Sequence, residues 1–343
     1  FTPGGNGDTY IINAPAIGAI KSVNDVLKEH AAFKRFLDLC ECVDAEEETP
    51  EGELLFTLTD IIAAAGMYDN LKDSEIDRLN KYSYSVFRSA PKNCSLGQIT
   101  SFFSQYNYSV FVPTAEAIDR ALADGDIIDW RNVVDDFKSC AKDNPDYSPS
   151  GTSPENKYKY IIEKQVDKDR VKAKIIYMFN WMRLHFMDTS VFADNSKWDE
   201  PKEYATSCFY QDNNGGGNFV KLRVKRGGRG QMTVQGLDVD AHMAVTTGTE
   251  ANVLRDVDGQ IPLRNIMARE ILVVNASGNE TSIIDATPTD LNHTRIGSSS
   301  GAVVHLIDNV LLFKNAMPDF NNPAAVRAYI KYNKVMNKDS HDY

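Results

Sequence analysis

Apolar residues recur at helical spacing through the first half of the chain and alternate with polar ones from about residue 204 onward. From Ser22, the stretch SVNDVLKEHAAFKRFLDLCECV sets Val26, Phe33, Phe36, Leu37, Leu39 and Cys40 at roughly helical intervals, which predicts helix with Ser22 as N-cap. An acidic loop, DAEEETPEGE, follows, and then a second amphipathic stretch, LLFTLTDIIAAAGMYDNL, that ends near Gly66. A polar region at 72–93 and SLGQITSFFSQY at 95–106 lead into an apolar strand. Residues 127–140 again read as helix. Residues 142–157 hold three prolines and no aliphatic side chain, and are expected to form a mobile loop. The longest helical stretch, 158–187, carries Ile175, Ile176, Met178, Phe179, Met182 and Phe186 as one wide stripe, with an expected break near 167–169. From 204 to 313, short alternating runs split by NNGGGN, RGGRG, DVDG and NASGN predict strands. A last helix is expected over 322–338, with Pro323 near its start. Helices first and strands second, with no strand–helix alternation, predict an α+β fold and not a doubly wound sheet.

Two segments stand out for their punctuation. In YSVFVPTAEAIDRAL, residues 108–122, Pro113 forces Val112 into extended geometry and stops the strand. Thr114 is then positioned to cap a helix, and Glu116 in its first turn meets the positive end of the helix dipole. In SGAVVHLIDNVLL, residues 300–312, a glycine leads an aliphatic strand interrupted by His305 and Asp308. His305 shares a strand face with Val303 and Ile307, which points it at the core as a hydrogen-bonded imidazole. Asp308 closes the strand, where its carboxylate can accept turn N–H groups. Leu184 and His185 end the long helix, placing His185 to pair with a backbone carbonyl ahead of an expected strand at 189–192.

Together these segments resemble the two signature boxes of the fasciclin-like domain family, in the family's order. The first box is carried by Phe111, Val112, Pro113, Thr114, Ala115, Glu116 and Ala117, with Ala115 where Asn is usual and Ile118 where Phe is usual. The second is carried by Gly301, His305, Ile307, Asp308, Val310 and Leu311, with Ser300 in place of Asn. Leu184–His185 resembles the Tyr–His site that lies between the boxes. The resemblance implies one fasciclin-like α+β domain over 22–314, with N-terminal helices and a β-rich core. An arm at 1–21 precedes it and a helical tail at 315–343 follows. The span exceeds the usual length for the family, and the excess is assigned to insertions at about 44–93, 129–157 and within 211–296. It also implies a non-catalytic adhesion or binding role at the cell surface or envelope, bacterial in type, toward a protein or glycan. The implied binding positions are His185, His305, Leu306 and Asp308, with no catalytic residue, metal or cofactor.

Charge and composition narrow the partners. A net charge of −11 argues against nucleic acid and anionic membrane surfaces, which need a basic footprint. No run of 18 or more apolar residues exists that could span a membrane. The start, FTPGGNGDTY, has no basic or apolar signal region and reads as a mature or trimmed N-terminus, with any lipid anchor or targeting segment lost upstream. Lys221, Arg223, Lys225, Arg226 and Arg229 form the one basic cluster, at an expected hairpin tip. Alternation there puts Lys221, Arg223 and Lys225 on one face and Leu222 and Val224 on the other. A solvated face is the simpler account, with glycan or acidic-partner binding as the sharper one.

Cys40, Cys42, Cys94, Cys140 and Cys208 are odd in number and lack CxxC spacing, so buried free thiols are expected. Gly297–Gly301 fits GxSxG, but a strand follows where a nucleophile elbow needs a helix. The DVD segments at 238–240 and 256–258 lack the calcium-loop ligand set. Gly215–Gly217 lacks the helix start of a phosphate cradle, and His30, His185, His242, His293, His305 and His341 form no metal-ligand pair. Two rival functions follow from other classes. One is a glycan-acting enzyme, which needs two carboxylates about 5–10 Å apart across a groove. The other is a structural subunit of an envelope assembly.

Overall fold

The computed structural model describes residues 2–4, 7–9, 21–48, 54–68, 84–87, 107–148, 156, 158–211, 217–239, 245–254, 263–274, 280–282, 295–313 and 317–333. Cys94, the approach at 95–106, the tip of the 142–157 loop, the DVDG turn at 256–259 and the chain beyond 333 lie outside the described residues.

Seven α-helices occur among the described residues: α1 (Val23–Glu29), α2 (Lys34–Cys40), α3 (Leu58–Ala64), α4 (Ala115–Asp124), α5 (Trp130–Cys140), α6 (Gln165–Leu184) and α7 (Pro323–Tyr332). Their starts follow local chemistry. Ser22 caps α1 in a reciprocal box with Asp25, Thr114 accepts from Ala117 N–H at α4, and Asp129 forms a box with Asn132 at α5. Asn322 caps α7, with Pro323 at the first helical position, where a missing N–H costs nothing.

Two of the helix expectations need correction. The stretch from Ser22 is not one helix: His30 adopts extended backbone, and a short turn at Ala31–Phe33 separates α1 from α2. The break expected near 167–169 is absent, because Asp167 and Arg170 pair one turn apart and hold α6 continuous. The chain instead departs from helix before Gln165, where Tyr160–Ile162 pairs with Ala141–Asp143.

Among the described residues nine strands form one mixed sheet. They are β1 (Tyr108–Pro113), β2 (Phe186–Asp188), β3 (Lys202–Gln211), β4 (Gly217–Gly228), β5 (Gln231–Val239), β6 (Val245–Asn252), β7 (Ile266–Val274), β8 (Glu280–Ser282) and β9 (Arg295–Ile307). Their spatial order is β6-β5-β4-β3-β2-β1-β9-β7-β8, antiparallel throughout except for the parallel pair β1–β9. The architecture is α+β. The strand expected at 189–192 lies three residues earlier, as β2, because Thr189 takes a positive φ of 84° and ends it.

The sheet does not stay open. Val253, just past β6, bridges to Ile307 at the end of β9, and Leu254 N–H donates to the Leu306 carbonyl at 3.0 Å. The run from β6 through β9 therefore curls into a ring, which covers strand edges that would otherwise invite pairing. Two cores result. Val110, Val112, Val304 and Leu306 face the helices, whereas Phe111, Ile307, Leu222, Val224, Met232 and Val234 fill the ring. Trp130, Val133 and Phe137 of α5 and Ile61 and Ile62 of α3 are fully buried in the helical core. The segments assigned as insertions thus supply part of that core. Tail helix α7 likewise buries Val326 and Tyr329, and Asn333 bonds Asn180 of α6.

Candidate functional site

Strand β9 carries His305 because an aliphatic strand covered on both faces can hold an imidazole only where both ring nitrogens find partners. Parallel register sets Val304 beside Val110, His305 beside Phe111 and Leu306 beside Val112. The His305 ring stacks on Phe111, with centroids 5.5 Å apart. Its Nε2 lies 2.9 Å from the Val191 carbonyl, and the Asn265 N–H reaches its Nδ1 at 3.4 Å. These partners assign the proton to Nε2 and leave Nδ1 as acceptor. Burial pushes the His305 pKa down to about 4, against the opposing pull of the Val191 carbonyl.

His185 is built the same way at the end of α6. Its Nδ1 donates to the Trp181 carbonyl at 3.0 Å, and its Nε2 accepts from Leu311 N–H at 3.4 Å. Its own carbonyl takes the Phe111 N–H at 3.0 Å. One residue thus ties the long helix, the first motif strand and the segment after the second. Burial holds this imidazole, too, near a pKa of about 4.

Between them lies a loop that sequence reasoning missed. Thr189 donates its N–H to the Asn107 carbonyl, and Ser109 Oγ donates to the Thr189 carbonyl while accepting the Val191 N–H, both at 2.9 Å. Asn107 Oδ1 also takes the N–H of Gly301, 194 residues on, and Asn265 brackets Ala193 through both its N–H and its carbonyl. The one sequence signal was Ser109, a lone hydroxyl in an apolar strand. Replacing Ser109 with Ala is expected to cost about 1–3 kcal/mol by leaving the buried Val191 N–H without an acceptor, read as a lower urea midpoint. An unchanged midpoint would mean the loop is held elsewhere.

The remaining motif residues divide by exposure. The Leu306 side chain is buried between the helices and the sheet, so like His185 and His305 it presents nothing to solvent. Asp308 is partly exposed and fastens the ring: its two oxygens accept the backbone and side-chain N–H of Asn252 at 2.7 and 2.8 Å. The partner is therefore a neighbouring strand end rather than a turn. Gly297–Gly301 lies inside β9, in continuous strand. Cys40, Cys42, Cys140 and Cys208 are free thiols, and burial raises the pKa of each. Among the described residues no group of three or more His, Cys, Asp or Glu could hold a metal ion.

The exposed chemistry lies at the β4–β5 hairpin. Gly228 pairs with Gln231 across a two-residue turn, Arg229-Gly230, with φ of 54° and 75°, the geometry that suits a hairpin's twist. Arg226 bonds Asp194 at 3.0 Å and Ser196 at 2.8 Å, and its guanidinium carbon lies 4.5 Å from the Trp198 ring centre. Lys202 Nζ approaches the same ring at 4.5 Å. The Ser196 hydroxyl, with Arg226 adding to it, holds the Asp194 pKa below its usual range. The loop locked by Ser109 and His305 therefore delivers Asp194, Lys197 and Trp198 to the flank of the hairpin. No family model, curated protein or solved structure matches the chain.

Proposed function

We propose that the chain is a non-catalytic, fasciclin-like binding protein of the cell surface or envelope that recognises a protein or glycan through its exposed loops and sheet face. The observation that carries this reading is the parallel pairing of the two motif strands, β1 and β9, with His305 stacked on Phe111 and His185 tied to both. The family resemblance implied that two distant boxes belong to one β-core, and this pairing supports it. The polar motif side chains support a structural rather than chemical role. Both imidazoles have their two nitrogens engaged by backbone, and Asp308 is held by Asn252.

The test is a binding array of glycans and matrix proteins probed with the folded chain, with soluble glycans assayed in parallel for loss of chain length. Saturable binding without turnover is expected. Depolymerisation of a glycan that is abolished by replacing two neighbouring carboxylates would overturn the proposal in favour of a hydrolase.

A further inference from the structure

The outer face of β4 carries a row of three cations. Lys221 and Lys225 are exposed, Arg223 lies between them, and all three point away from the Leu222 and Val224 that fill the ring. Alternate residues on a strand are spaced by about 6.8 Å, so these three are evenly spaced. Past Lys225 the strand is interrupted by a bulge at Gly227, to which the Lys197 backbone is bridged, and the turn beyond it carries Arg229. Of these, Arg223 is paired with Glu203 at 2.9 Å. Among the described residues Lys197, Lys221, Lys225 and Arg229 have no ion-pair partner. The neighbouring strand β5 sets neutral side chains beside the row: Leu237 opposite Lys221, Gln235 opposite Arg223 and Thr233 opposite Lys225. In a chain of net charge −11 such a row is a local reversal of the field.

We propose that this face of β4, with Lys197 and Arg229 at its end, docks an acidic polysaccharide: a linear glycan carrying carboxylate or sulfate groups. Charge complementarity selects a polyanion, and the rest of the surface selects among polyanions. A protein partner needs a cluster of apolar anchors, and among the described residues of β4 Phe219 alone is a large exposed apolar side chain. Nucleic acid in single strands needs open aromatic faces, whereas Trp198 already meets Lys202 and Arg226, and Phe219, exposed two residues before Lys221, is packed edge-on against Phe209. Evenly spaced cations with the Gln235 amide and the Thr233 hydroxyl beside them suit a polymer whose repeat offers one charge among many hydroxyl groups.

This assignment deepens the surface-binding proposal by naming a ligand class, and rests on it. Binding of the full chain to polygalacturonate and to dextran sulfate, measured calorimetrically, tests it and separates carboxylate from sulfate. Neutral dextran, poly-glutamate and duplex DNA serve as comparisons. At least one acidic glycan is expected to bind, with affinity falling as salt rises. The variant Lys221→Gln/Lys225→Gln/Arg229→Asn should lose affinity by about tenfold or more at unchanged melting temperature. Asn is chosen at 229 because it tolerates the left-handed backbone there. If that variant does not fold, the single exposed change Lys225→Glu should still weaken binding. Unchanged affinity in a folded variant, or equal binding of poly-glutamate, DNA or neutral dextran, overturns the assignment. Failure of both acidic glycans to bind also overturns it while leaving recognition of another surface ligand intact, whereas shortening of a glycan would sink the non-catalytic proposal itself.

Discussion

Acidification from pH 6.5 to pH 4 is expected to remove a large share of the folding free energy, through His185 and His305. Both imidazoles are buried neutral, with pKa values pushed down to about 4 from the 6.5 of a solvated histidine. Between those values the unfolded chain binds more protons than the folded one, so stability is fully present above pH 6.5 and falls as pH drops toward 4. A shift of this size corresponds to about 3 kcal/mol for each residue. Two such losses are comparable with the whole stability of an ordinary domain, ~5–15 kcal/mol. The consequence is also local, because protonated His305 has no acceptor for Nδ1–H facing Asn265 N–H, and protonated His185 meets the Leu311 N–H in the same way. Urea midpoints measured at intervals across this range should fall steeply for the native chain. The variant His305→Gln should start lower at pH 7 and fall less, since its amide can still donate toward Val191 but cannot titrate. Parallel curves for the two proteins would remove His305 from the account.

Gly248→Ala is expected to be the most damaging small substitution in the sheet. After β9 the chain crosses β5 and β6 at Gly236 and Gly248, held there by Thr249, whose N–H donates to the Leu312 carbonyl at 3.1 Å. The Thr249 hydroxyl also donates to the Val310 carbonyl and accepts the Leu312 N–H, at 2.6 and 2.8 Å. A Cβ on Gly248 would stand 1.7 Å from the Leu312 carbonyl oxygen, and one on Gly236 2.2 Å from it. Backbone meets backbone at both places, so no flexible side chain can swing aside. The cost should exceed about 3 kcal/mol, the upper end for overpacking, with Gly236→Ala close behind. Gly66→Ala is the natural comparison. That glycine has a φ of 67°, but a methyl group added to it would meet nothing within 4 Å, so only the backbone preference of about 1–2 kcal/mol is at stake. Thermal melts that rank Gly66→Ala as the worse variant would contradict the crossing.

Local signals settled a definite part of this protein. Helix starts at Ser22, Thr114 and Pro323 were legible because caps and prolines act within one turn, and hydrophobic period separated the helical half from the strand half. Alternation alone put Lys221, Arg223 and Lys225 on the opposite face from Leu222 and Val224. Val110, Val112, Val304 and Leu306 are buried, as aliphatic strands that need cover on both faces require. Elements whose ends depend on distant partners were not legible. The length of β2 is set by Asn107 and Ser109 acting on Thr189, and the continuity of α6 by Asp167, Arg170 and Asp136 side chains meeting in space. The same holds for the site. His185, His305 and Asp308 could be named from the sequence, but their partners, Trp181 excepted, are backbone or side-chain groups 40 to 126 residues away: Asn265, Asn252, Val191 and Leu311. Ring closure at Val253–Ile307 and the joining of Lys197 to the cation row are likewise tertiary facts. The physical reason is common to all of them: a hydrogen bond or charge contact stabilises the chain wherever its ends meet, and only the packing of the two cores decides where that is.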